Sequence, residues 1–198
     1  LHSSRYINLI NLTGDKQALD EAFERLTQKN NLNNWKNYLL VASNFNAGMN
    51  DPILNERAKK AIEIFPYNND IKGLYNKILI GENKLNDSVR FSNNGLEFFN
   101  NQDYSNAAKE FEKAISSNPL DYANYENAAT ANYMLGNLEK ALEQINEVIN
   151  NLNPFNGKCE YIKALIFIRM GDPIGACPLL ATARDSGFIQ AEASFDQY

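Results

Sequence analysis

The sequence predicts an all-α fold, a solenoid or α-α superhelix of antiparallel helix pairs. Three observations carry this reading. In the stretch from Phe91 to Pro119, Phe91, Gly95, Phe98 and Phe99 fall at helical spacing, and Ala107, Phe111 and Ala114 follow at i, i+4 and i+7. The polar triplet Asn101-Gln102-Asp103 parts the two helices, and Pro119 stops the second. The pattern then returns. Ala107 is answered 34 residues on by Ala141, and Ala141 is answered 35 residues on by Ala176. Phe111, Ile145 and Leu180 follow these alanines by four residues, and Ala114, Val148 and Ala183 by three more. A fixed period in this range marks a helical repeat array, in which each pair buries its apolar face against its neighbours.

On these residues the chain resembles the tetratricopeptide repeat (TPR) family. The first clear repeat shows Phe91, Gly95, Phe98, Asp103-Tyr104, Ala107, Phe111, Ala114 and Pro119 in the family's order. The second shows Tyr125, Ala129, Gly136-Asn137-Leu138, Ala141, Ile145 and Val148, with Pro154 one place late and Asn132 where an aromatic is usual. The third shows Ala164, Phe167, Gly171-Asp172, Ala176, Leu180 and Ala183, with Glu160 at an aromatic position and no closing proline.

Taken in order, residues 1–67 read as two degenerate helix pairs. Gly14-Asp15 is the first turn, with Leu19, Phe23 and Leu26 beyond it. Tyr38, Ala42 and Phe45 line the next helix, and Leu54, Ala58 and Ala61 the one after, which Pro52 opens and Pro66 closes. Residues 68–87 read as an extra helix (Ile71, Leu74, Tyr75, Ile78, Leu79) and a hinge, with breaks at Gly81-Glu82-Asn83 and Asn86-Asp87-Ser88. Residues 88–187 are the three clear repeats, and 188–198 read as a capping helix. The chain opens inside an apolar periodic stretch (Tyr6, Ile7, Ile10), so a trimmed start is expected.

Composition narrows the function. A net charge of −5 argues against a general nucleic-acid binder, which needs a basic stripe against phosphates. No apolar run approaches the ~20 residues that span a bilayer. Asparagine is abundant, 31 residues in all, and suits caps and turns. The single histidine, His2, excludes a His-pair zinc site and disfavours His-based nucleophilic catalysis. Cys159 and Cys177 lie on neighbouring helices with an axial offset of roughly 10 Å from a ~1.5 Å rise, too far apart for a disulfide. Both are expected as core thiols, the alternative being that one pairs with a cysteine beyond Tyr198 or in a partner, and Trp35 is expected as a packing residue. No enzyme activity, cofactor or metal is expected.

The resemblance implies that the first helices of successive pairs line a concave groove that holds extended peptides. Aligned repeats put Asn93, Leu96 and Asn100 on that face from the first clear repeat. Asn127, Thr130 and Tyr133 come from the second, and Lys158, Tyr161 and Arg169 from the third. Glu126 and Ile162 fall on the same face. Asparagine amides can bond both polar groups of a peptide backbone, and Lys158 and Arg169 can hold a carboxylate. Chaperone-binding members clamp a C-terminal carboxylate with five residues. Asn127 and Lys158 match, whereas Ser92, Leu96 and Ile162 stand at the other three positions, so no chaperone clamp is expected.

The expected role is a non-enzymatic scaffold or adaptor for a protein or peptide, without nucleic acid or direct membrane insertion, and with the terminal helices available for self-association. The segment from Gly171 to Ala193 also resembles the ends of bacterial TPR and Sel1-like proteins. It favours a bacterial envelope assembly and ranks a periplasmic or envelope location ahead of a cytoplasmic one. The alternative is a regulatory or sensor module of a longer protein.

Overall fold

The computed structural model describes residues 2–45, 51–152 and 156–191. Every regular element among them is helical. The chain forms two compact units, Leu1–Leu85 and Asn86–Tyr198.

The N-terminal unit holds α1 (His2–Thr13), α2 (Lys16–Thr27), α3 (Leu32–Phe45), α4 (Pro52–Ile64) and α5 (Asn69–Ile80). Its caps are side-chain acceptors. Asp15 takes the Ala18 amide, Asp51 takes those of Ile53 and Leu54, and Asn68 takes that of Ile71. Pro52 sits in the first turn of α4, where a missing N–H costs nothing. Trp35, Tyr38, Leu39, Ala58, Ile71 and Ile78 are fully buried in one core. Phe23 meets the Trp35 ring edge-on at 5.7 Å, which makes Trp35 a packing residue. The Arg57 guanidinium lies 4.3 Å over the Phe23 ring, pairs with Asp20, and donates to the Tyr38 hydroxyl at 2.9 Å. One side chain of α4 thereby ties α2 to α3. The extra helix of the sequence reading, α5, contributes Ile71 and Ile78 to this same core.

The division between the units falls inside α6 (Glu82–Asn100). The expected break at Asn86-Asp87-Ser88 is absent, because α6 runs through it as one helix. Tertiary bonds outweigh the local preference of these residues for turns. The Ser88 hydroxyl is buried and donates to the Ala114 carbonyl at 3.0 Å, and the Asn124 amide donates to it in turn at 3.2 Å. Asp87 pairs with Arg90 one turn on.

The C-terminal unit continues with α7 (Tyr104–Ser117), α8 (Tyr122–Leu135), α9 (Leu138–Glu147), a π-helical turn (Val148–Leu152), α10 (Lys158–Arg169) and α11 (Pro173–Asp185). Gln102, in a left-handed conformation, and the N-cap Asp103 make the first turn. Gly136, also left-handed, closes α8. Asp172 caps α11 by accepting from the Gly175 amide at 2.9 Å. The recurring small residues do what their spacing requires. Ala107, Phe111 and Ala114, Ala141, Ile145 and Val148, and Ala176, Leu180 and Ala183 are all fully buried. Asn132, at a usual aromatic position, is buried as well. It donates to Gln144 at 3.0 Å and accepts from Asn137 at 3.2 Å, so a polar pair replaces a ring there.

Candidate functional site

The face predicted to bind is carried by α6, α8 and α10. On α6, Asn93, Leu96 and Asn100 are exposed, with Leu96 at 42%. Asn93 and Asn100 lie on the far side of the helix from Gly95, which is buried against Phe111, and Leu96 lies about a quarter-turn from it. On α8, Asn127, Thr130 and Tyr133 are half-buried. The Thr130 hydroxyl donates to the Glu126 carbonyl at 2.7 Å, a bond within its own helix. On α10, Lys158 and Tyr161 are half-buried and Arg169 is exposed.

The α8 and α10 members are drawn together by ion pairing and ring stacking. Lys158 Nζ lies 2.8 Å from a Glu126 carboxylate oxygen. The Arg169 guanidinium sits 5.0 Å over the Tyr133 ring and donates to the Tyr133 backbone carbonyl. That carbonyl belongs to the last turn of α8, where the helix dipole is negative and a cation is favoured. Tyr161 stacks on Phe188 with ring centres 5.1 Å apart.

Two residues expected on the surface are buried. Glu126 is 2% exposed and Ile162 is 7% exposed. Ile162 packs into the apolar core with Ala141, Ile145 and Ile166. Glu126 is held by three donors: Lys158, the Asn156 amide at 3.4 Å, and the Cys159 thiol at 3.2 Å. A buried carboxylate requires such partners. Lys158, expected to offer its charge to a ligand, already spends it on Glu126. Spacing alone placed all of these residues on one face. It gave no means of knowing that the carboxylate and the ammonium would meet.

Cys159 is fully buried, and burial followed by the Glu126 charge pushes its thiol above the ordinary range. Cys177 is not a core thiol: it is half-buried on α11 and bonds the Pro173 carbonyl at 3.3 Å. Both thiols are free. Cys177 follows buried Ala176 by one position and so stands at the edge of the packed face of α11. Among the described residues, no three His, Cys, Asp or Glu side chains gather as a metal site. No described helix is long and apolar enough to cross a membrane. Of the expected capping helix, residues 192–198 lie outside the described residues; Ala191, just before them, is fully buried.

The N-terminal unit contains a hollow that sequence reasoning missed. About 490 Å³ in volume, it lies between α3 and α5 and is lined by Lys36, Asn37, Leu40, Asn69, Asp70, Gly73, Leu74 and Lys77. Leu40 is 51% exposed there, and nothing stands within 4 Å of where a Gly73 Cβ would be. A leucine outside the buried stripe of α3 and a glycine in mid-helix were the signals available in the sequence.

No family model matches the chain. A stretch of 94 residues, 48% of this chain, is 29% identical to the tetratricopeptide repeat and J domain-containing co-chaperone DNJ1 of Cryptococcus neoformans var. grubii. That stretch spans 18% of the relative's length. Among solved structures, the TPR2AB domain of yeast Sti1 in a complex with pHSP90 aligns with a TM-score of 0.51 at 18% identity. The alignment covers 98% of this chain and 82% of that one. MamA of AMB-1 aligns with a TM-score of 0.46 at 14% identity, covering 94% and 95%. With helices paired around buried small residues, this chain shares the TPR-type helical-repeat fold of the Sti1 domain.

Proposed function

We propose that the chain is a non-enzymatic interaction scaffold whose first-helix face on α6, α8 and α10 binds an extended segment of a partner protein. The observation that carries this reading is the exposed row of Asn93, Leu96 and Asn100, continued by the half-buried Asn127, Thr130 and Tyr133. Amides and small apolar groups suit a peptide backbone and its side chains. The Sti1 domain, similar in fold, is described in a complex with pHSP90, which supports a protein or peptide partner. It lends no support to a chaperone clamp, because Ile162 is buried and Lys158 is paired internally.

The division into two degenerate pairs over 1–67, an extra helix and hinge over 68–87, three repeats over 88–187 and a cap over 188–198 belongs to this proposal. So do self-association through the terminal helices and a place in a bacterial envelope assembly. The envelope reading rests on the resemblance of the closing segment to bacterial proteins; the fungal relative adds nothing to it. The second reading, a regulatory module of a longer protein, is favoured by DNJ1, whose name joins such repeats to a further domain.

The test is a cross-linked pull-down with the intact chain and a Leu96→Glu, Thr130→Arg variant of unchanged helicity. A partner retained by the chain and lost by the variant supports the face. Partners retained equally by both would end this reading.

A further inference from the structure

We infer that Glu126 sets the charge selectivity of the α6, α8 and α10 face, so that it takes a neutral or basic segment within a partner's chain and not a free C-terminal carboxylate. The inference rests on the reading of that face as a peptide site. It begins with the ion pair between α8 and α10. The Glu126 side chain is 3% accessible and its carboxylate is bonded by Lys158, Asn156 and Cys159. An incoming carboxylate would have to share Lys158 with Glu126, weakening the counter-charge of a buried carboxylate, which low-dielectric surroundings penalise. The charge of Lys158 is therefore largely neutralised toward acidic ligands although 37% of its side chain is accessible.

The other cation of the face is also engaged. Arg169 is bound to the C-terminal end of α8 through the Tyr133 carbonyl and ring. Carboxylates are in surplus: residues 86–198 carry fifteen acidic and eight basic side chains, a net of −7, while residues 1–85 carry nine and eleven. Glu97 is exposed on α6 beside Leu96, and one Glu160 oxygen on α10 is buried without a hydrogen-bond partner. The unit therefore attracts cationic segments over distances of about the screening length, ~8–10 Å in ordinary salt, and repels acidic ones.

The test pans the full chain against a random peptide library displayed in two formats, one ending in a free carboxylate and one embedded between fixed flanks. The binders are then synthesised as pairs with an acid or an amide C-terminus. For the natural chain, Lys and Arg should be enriched over Asp and Glu. Acid and amide forms should bind within about twofold, and added salt should weaken both. In Glu126→Gln, which releases Lys158, the acid form should gain about fivefold over the amide. A preference of about tenfold for the acid form by the natural chain would overturn the inference. That comparison needs no variant and decides the matter even if Glu126→Gln does not fold. Binding unchanged in Leu96→Glu, Thr130→Arg would instead overturn the assignment of the face, whatever the charge preference. A library that yields no binder in either format would overturn both.

Discussion

Phe111 fills the space above Gly95 so closely that a Cβ added at position 95 would stand 2.6 Å from its Cε1. The ring is fully buried, so it has no room to retreat. Gly95→Ala should therefore destabilise the C-terminal unit. Overpacking costs about 1–3 kcal/mol, and the better helix propensity of alanine returns about 1 kcal/mol. A net loss of up to about 2 kcal/mol is expected in urea unfolding. Gly73→Ala is the contrasting case. Nothing lies within 4 Å of its Cβ position, so it should gain roughly 0.5–1 kcal/mol. Equal effects of the two substitutions would show that propensity, not packing, governs both.

Stability should fall in alkali through Tyr38. Burial pushes its hydroxyl up to about 12, against the opposing effect of Arg57. The unfolded chain loses this proton near pH ~10, whereas the folded chain holds it to pH ~12. Its contribution is thus complete below pH ~10 and is lost as the pH rises toward ~12, by at most about 2–3 kcal/mol. Tyr38→Phe should cost about 1 kcal/mol at neutral pH through the lost bond to Arg57, and should flatten the alkaline slope. An unchanged slope would assign the effect to Tyr75 or Tyr125, whose hydroxyls burial also raises.

The two cysteines should separate kinetically. Cys159 is buried, its thiol pushed upward by burial and by the Glu126 charge, whereas Cys177 is half-buried. Maleimide labelling followed by peptide mass analysis should modify Cys177 first. Cys159 should trail by on the order of a hundredfold and catch up in urea, since thiolate supply and access both limit it. Comparable rates in the native protein would mean that the start of α10 opens readily.

Glu160 keeps a buried carboxylate oxygen without a hydrogen-bond partner at a repeat position where an aromatic is usual. Replacing it with methionine of similar length removes that acceptor. Glu160→Met should raise stability by about 1 kcal/mol, read as a higher melting temperature. A lower melting temperature would mean that water or a neighbour already satisfies the oxygen.

The binding face divides differently between sequence and structure. Asn93, Leu96 and Asn100 were legible because helical phase alone turns them away from buried Gly95. The states of Glu126, Lys158 and Arg169 were not. Each lies near the right phase, but what it bonds depends on how α10 stands against α8, and pairs 32 to 36 residues apart leave no local trace. The hollow at Leu40 and Gly73 was hidden for the same reason, since its two walls are separate helices.

By itself the sequence determined that this protein is built of helices, where most of them end, and which small residues close each pair. Periodicity, caps and turn chemistry act within a few residues, so they can be read along the chain. Only the tertiary structure decided that α6 runs through Asn86-Asp87-Ser88, because the buried Ser88 bond to Ala114 crosses 26 residues. It alone decided that Glu126 turns inward and takes Lys158 with it. Burial changes the strength of every charge interaction, and burial is a property of neighbours in space.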